Sequence, residues 1–316
     1  MPPLSKRAAS ILSVSTSFGT ALIQEWKKAW NSRLFAVIDQ PNNASLALSA
    51  AQTPPHLATA ETDKNRPTRI DFYLRHFLET VPHFPKAIKY LLADGFYAKL
   101  KFAGGVCQSG FHLISKLRAD ANLQYLFNGI QKPRGARRKF AGKVDFADLQ
   151  QFEQTVLTLD RQEIKLFSKV VWSVSLKRNI KLVIVKFKKR SVNLFSTDLE
   201  IAAAEVLKLY RSRFTIEFLI RDAKQSAGLA DCQARDRKAL EFHWNASFAV
   251  VNLARLKASQ TNPATEPKPF SMKSIKQQFF NEHLLKMFIS KLGLEQTLIK
   301  YQEHFEKLRN YAIISA

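Results

Sequence analysis

The sequence predicts an α/β protein in which a mixed strand-and-helix core is interrupted by a β-rich stretch and followed by a helical C-terminal segment. Three observations predict it. Short apolar runs bounded by turn residues recur as far as residue 117, alternating apolar and polar residues fill KVVWSVSLK and IKLVIVKF, and helical spacing takes over at Leu207.

Strands are expected near residues 10–18, 33–39 and 44–50, with QPNN as the tight turn between the last two. A helix follows from about Thr68 to Val81. IKYLLADGFYAKLKF then runs apolar from Ile88 to Ala93 and presents Asp94 at a glycine, the pattern of a buried strand that delivers a carboxylate at its C-terminal end. An Asp before Gly is by itself an ordinary turn. FHLISKL, 111–117, is a further strand, and 121–200 holds a basic loop followed by alternating strands. Helices are expected around KLYRSRFTIEFLIRDAKQSAGL and from about Lys238 to Lys257. TNPATEPKPF is a Pro-rich linker, and 271–312 has the spacing of two amphipathic helices.

Composition narrows the partner. A formal charge of +23 in 316 residues makes the chain attractive to a polyanion, and the cations cluster in KPRGARRKFAGK and KFKKR. Membrane-surface binding would need a long basic helix with a strong apolar face, which these Gly- and Pro-interrupted runs do not supply, so no membrane partner is expected. No apolar run reaches the 18 or so residues of a membrane span. Lys6 and Arg7 before AASILSVSTSFGTALI resemble a secretory leader, but Ser and Thr interrupt the run, and a buried strand is the expectation. Cys107 and Cys232 are far apart without His pairs, so neither a zinc site nor a disulfide is expected, and a cytoplasmic location fits.

Tyr210, Arg213, Glu217 and Lys224 form the most informative group. Their offsets of 3, 7 and 14 bring each side chain to within about 60° of the first on a helix, so one face is expected to carry all four. A solvated face with an Arg213–Glu217 ion pair is the plain alternative. The spacing resembles the Tyr/Arg/Glu/Lys signature of the DDE transposases of bacterial insertion sequences. Asp94 before Gly95, Phe96 and Tyr97 resembles the second acid of that family. The likeness extends through FHLISKLRADANLQYLF, VDFADLQQF, LFSTDLE and GLADCQARDRKALEFHWNASFAVVNLARL, covering most of residues 33–258.

The resemblance implies a ribonuclease H-like core built from 1–120 and 201–258, a β-rich insertion at 121–200, and a linker with C-terminal helices at 259–316. It implies metal-dependent cleavage and transfer of DNA strands, with two Mg²⁺ ions held by carboxylates. Asp94 and Glu217 are the implied catalytic and metal-holding residues. Tyr210, Arg213 and Lys224 are the implied contacts to double-stranded DNA at transposon ends, and homodimerisation is compatible with the family. Phe242, His243 and Trp244 are expected in the core rather than as base-stacking groups.

Two departures from the family stand out. The segment SILSVSTSF resembles the first strand, with Ser15 where the family's first Asp would stand, and a neutral hydroxyl does not replace a carboxylate on Mg²⁺. Asp39 is the nearest rival, but it ends a strand antiparallel to the first and should lie roughly 20 Å from Asp94. Asp63 and Asp71 are expected in a loop and on a helix, in exposed roles. The chain also begins almost at the first strand, so a truncated transposase with weakened activity is expected. A noncatalytic DNA-binding protein derived from a transposase is the alternative, and a structured-RNA binder rests on charge alone.

Overall fold

The computed structural model describes residues 20–26, 32–39, 43–53, 67–159, 161–187, 190–261, 270–294 and 303–313. The chain divides into two compact units, Met1–Glu217 and Phe218–Ala316.

The first unit is built on an antiparallel run of three strands, β1 (Thr20–Trp26), β2 (Ser32–Asp39) and β3 (Ala44–Gln52). Every residue of β2 is buried, as befits a strand paired on both sides and covered on both faces. Asn43 takes the left-handed conformation (φ 45°) at the entry to β3, a geometry Asn tolerates better than most side chains. The later two strands fall where the sequence places them. The strand expected at 10–18, with Ser15, lies outside the described residues, and β1 at 20–26 is a strand the sequence reading did not place. Only five residues separate Trp26 from Ser32, so TALIQEW closes on SRLFAVID through a short connection, at a small entropic cost.

β4 (Tyr90–Leu92) lies parallel to β1 on the side away from β2, and β5 (His112–Leu117) lies parallel to β4. One helix precedes β4 and another joins it to β5. α1 (Arg69–Thr80) starts at Thr68, whose backbone N–H donates to the Asp71 carboxylate at 2.7 Å, and α2 (Leu100–Gln108) packs against it. Asp71 also pairs with Lys101 of α2, so it works as a helix cap and interhelix tie. Gly105 permits the close approach, since a Cβ there would run into the Leu74 side chain. The helices bury an aromatic cluster in which Phe77 lies within about 6 Å, ring centre to ring centre, of Phe35, Phe84, Phe102 and Phe111.

The stretch from 123 to 196 supplies six strands: β6 (Leu123–Leu126), β7 (Phe140–Lys143), β8 (Glu153–Leu159), β9 (Gln162–Ser173), β10 (Arg178–Phe187) and β11 (Arg190–Ser196). They do not form a separate sheet. β11 pairs antiparallel with β5, from Asn193↔Leu117 to Ser196↔Ile114, giving one eleven-stranded sheet in the order β3-β2-β1-β4-β5-β11-β10-β9-β6-β7, with β8 on β9. α3 (Ala203–Ser212) packs across β5, β9, β10 and β11 through its buried Val206 and Leu209.

α4 (Thr215–Ser226) carries the chain into the second unit, which contains α5 (Arg237–Thr261), α6 (Met272–Lys291) and α7 (Glu303–Arg309). Trp244 is buried, as expected, and His243 bonds through Nε2 to the Gly228 carbonyl at 2.7 Å. Phe242 departs from expectation: it is 71 % exposed, because the core-facing stripe of α5 runs through Leu240, Trp244, Phe248 and Val251 instead. Asp222 and Arg255, both nearly buried, pair at 3.2 Å within this unit.

Candidate active site

Asp94 emerges two residues beyond the end of β4, where the chain leaves the sheet for a short 3₁₀ turn, Gly95–Tyr97. Its Oδ1 accepts the Phe96 N–H at 2.8 Å and caps that turn. The backbone beneath is held from β5: Ser115 donates its hydroxyl to the Asp94 carbonyl at 2.7 Å, and Ala93 donates its N–H to the Ile114 carbonyl at 3.0 Å. Gly95 eases this close fit, since a Cβ there would lie 3.2 Å from the Lys116 carbonyl oxygen and would push it back by a few tenths of an ångström. Asp94 is thus a half-buried carboxylate on a rigid strand end, as its sequence context predicts.

The continuous helix expected around Tyr210 is instead broken. α3 ends at Ser212, and α4 begins at Thr215. Side-chain hydroxyls cause the break: Ser212 donates to the Leu209 carbonyl at 2.7 Å and Thr215 to the Ser212 carbonyl at 2.8 Å. With those carbonyls engaged, the amides of Arg213, Phe214, Ile216 and Glu217 bond three residues back rather than four. Thr215 is also hydrogen-bonded to Ser45 of β3, which ties the break to the sheet.

Despite the break, the key side chains stay together. Arg213 Nη2 lies 3.2 Å from Glu217 Oε1, and its guanidinium lies 5.8 Å from the centre of the Tyr210 ring and 5.2 Å from that of Phe214. Burial pushes the Tyr210 hydroxyl above its ordinary pKa; the Arg213 charge pulls it back, the nearby Asp94 carboxylate raises it again, and a hydrogen bond with Arg213 lowers it. Tyr210 is therefore within electrostatic reach of Asp94. Asp94 and Glu217 belong to the same compact unit. Lys224, in the second unit, is exposed on α4.

Each acid keeps one carboxylate oxygen without a protein partner among the described residues, Oδ2 of Asp94 and Oε2 of Glu217. Hard oxygen donors of this kind suit Mg²⁺. Among the described residues no cluster of three His, Cys, Asp or Glu side chains has the geometry to hold a metal ion. Asp39 is at the other end of the sheet: Thr20 pairs with Ile38 on one side and Tyr90 on the other, which leaves Asp39 about 17 Å from Asp94 along the strand direction. Asp71 acts in the α1 cap, and Asp63 lies outside the described residues. Ser115, Thr215 and Ser45 shape the site and were not singled out from the sequence, because each acts through a partner distant in the chain.

The model of the transposase DDE domain family matches residues 62–253, which is more than half of the chain. The comparison with curated proteins returned no match. Among solved structures, the chain is similar to a piggyBac transposase in a synaptic complex with hairpin DNA, at 11 % identity and a TM-score of 0.42, over 93 % of this chain and 58 % of that one. The family match takes in Asp94, the strands that follow it, and the Tyr210–Glu217 cluster, and on that match the chain belongs to the transposase DDE domain family.

Proposed function

We propose that this chain is the catalytic part of a transposase that cleaves and joins strands of double-stranded DNA at transposon ends, with Asp94 and Glu217 holding Mg²⁺. The observation that carries this reading is the pairing, in one helical cluster, of Glu217 with Arg213 and Tyr210, beside the carboxylate that Asp94 presents at the end of β4 in the same unit. Three antiparallel strands followed by two parallel ones support a ribonuclease H-like core, and the Tyr/Arg/Glu/Lys spacing supports the insertion-sequence branch.

Bound Mg²⁺ would activate the attacking water or 3′-hydroxyl and stabilise the leaving oxygen of the phosphodiester. The chain's own residues place the DNA. Arg213, clamped between ring faces and Glu217, offers a flat set of donors to a phosphate, and Lys224, exposed in the second unit, offers a point charge to DNA. Tyr210 stays protonated at neutral pH and can donate to a phosphate oxygen.

Ser15, where the family resemblance places an acid, favours weak catalysis, and it keeps noncatalytic DNA binding as a second reading. Incubation with supercoiled plasmid decides between them. Slow nicking that requires Mg²⁺ and is lost in both Asp94→Asn and Glu217→Gln supports the catalytic reading. Nicking indifferent to both substitutions overturns the site. Retained duplex binding without nicking leaves the noncatalytic reading.

A further inference from the structure

The connection between β6 and β7 is a second basic element, remote in sequence from the acids. Between Asp120 and Asp145 the chain contains no acidic residue, while Lys132, Arg134, Arg137, Arg138, Lys139 and Lys143 are all cationic. Arg138 is structural: its guanidinium lies 4.8 Å from the centre of the Phe127 ring, and its Nε donates to the Phe140 carbonyl at 2.9 Å. Gln131 brackets it, donating to the Arg138 carbonyl at 2.8 Å and accepting the Arg138 N–H at 2.9 Å. The Phe127 N–H closes the base of the loop on the Lys139 carbonyl at 3.0 Å. The other five cations are exposed and have no acidic partner among the described residues.

Next to Gln131 on this braced loop stands Ile130, 99 % exposed. Single exposed apolar side chains are common and need no explanation. What singles this one out is its mounting, with Gly129 packed over the Phe127 ring on one side, the pinned Gln131 on the other, and a cationic loop around it. An apolar side chain projecting among phosphate-neutralising cations is the arrangement by which proteins wedge open a base step and bend B-form DNA.

We propose that the β6–β7 loop is a separate DNA-bending contact, in which Lys132, Arg134, Arg137 and Lys139 hold duplex phosphates and Ile130 enters a base step. The proposal rests on the reading that the chain acts on double-stranded DNA. A membrane surface is disfavoured because one Ile offers too little apolar area to insert. Duplex RNA is disfavoured because its deep, narrow major groove and shallow minor groove give a wedge no comparable entry.

The test uses the full chain with a duplex labelled at both ends, so that affinity and end-to-end energy transfer are read together across a salt series. Arg134→Gln with Arg137→Gln should reduce the slope of log K against log salt by about 1.8, at about 0.9 per phosphate contact. Ile130→Ala should keep the slope, weaken binding by about 3–10-fold, and abolish the change in energy transfer, as loss of a bending wedge requires. All three positions are exposed, and unchanged thermal melting will show that the fold is intact. If the parent chain does not bind duplex DNA, the DNA reading and this proposal fall together. If it binds and the variants match it in slope and bend, this proposal alone falls. Slope loss with bending unchanged in Ile130→Ala overturns the wedge, and equal effects on duplex RNA overturn the choice of partner.

Discussion

Replacing Arg213 with Met separates what this residue does for the fold from what it does for DNA. Met keeps most of the aliphatic packing and removes the charge. The Arg213 side chain is 12 % exposed but its partner Glu217 is 43 % exposed, so the 3.2 Å ion pair is screened and contributes about 0.5–1 kcal/mol. Its approach to the Tyr210 and Phe214 rings adds about 0.5–1 kcal/mol, since Phe214 faces solvent. A net loss of about 1–2 kcal/mol should lower Tm by roughly 2–8 °C, at about 2–4 °C per kcal/mol for domains of 150–250 residues. On duplex DNA, the slope of log K against log salt should become shallower by about 0.9 if Arg213 neutralises one phosphate. Calorimetric melting and a fluorescence salt titration measure the two effects separately. Lys208→Met, on the far side of α3 from Tyr210, serves as a control and should leave the slope unchanged. A lowered Tm with an unaltered slope would refute a phosphate contact and leave Arg213 as a structural tie.

Tyr90 donates to Asp198 at 2.8 Å, and burial together with that carboxylate pushes its pKa up to about 12. Tyr90→Phe should cost about 1 kcal/mol at neutral pH. Because the folded pKa is raised, this stabilisation is fully present below pH 10.0 and is lost as pH rises through about 12; an ultraviolet titration of the variant should lose one tyrosinate step near pH 12. Phe77→Ala should cost about 3–5 kcal/mol by denaturant unfolding, given its full burial among four rings, and a cost under about 1 kcal/mol would contradict that packing. Gly95→Ala should lower stability by about 1 kcal/mol through its contact with the Lys116 carbonyl. By shifting Asp94, it should also reduce metal-dependent nicking by roughly tenfold, whereas unchanged nicking would mean that Asp94 tolerates the displacement.

Much of the fold was legible where the local pattern alone decides the structure. Strands at 32–39, 44–52 and 112–117 and helices at 69–80 and 237–261 follow strong apolar periodicity, and each lies within a few residues of expectation. The strand at 20–26 was missed because nothing local marks TALIQEW, and its pairing with β2 and β4 is what makes it a strand. The break at Arg213 was illegible for a similar reason: whether Thr215 caps a carbonyl or simply sits within a helix depends partly on Ser45, 170 residues away. The union of the 123–196 strands with the core sheet depends on β5 finding β11, a pairing that leaves no local trace. In the site, the acid at a strand end and the Tyr/Arg/Glu/Lys row were visible because each is a local pattern. The support of Asp94 by Ser115 was not, since a buried Ser on a strand has no distinctive sequence signal.

The most direct test is a crystal structure of the chain grown with Mn²⁺ in place of Mg²⁺, with the ion located by its anomalous signal. An anomalous peak within about 2.0–2.2 Å of one oxygen from Asp94 and one from Glu217, absent in Glu217→Gln, is the predicted result. Ordered Asp94 and Glu217 carboxylates with no ion between them, or an ion held elsewhere in the molecule, would contradict a shared metal site and the catalytic role built on it.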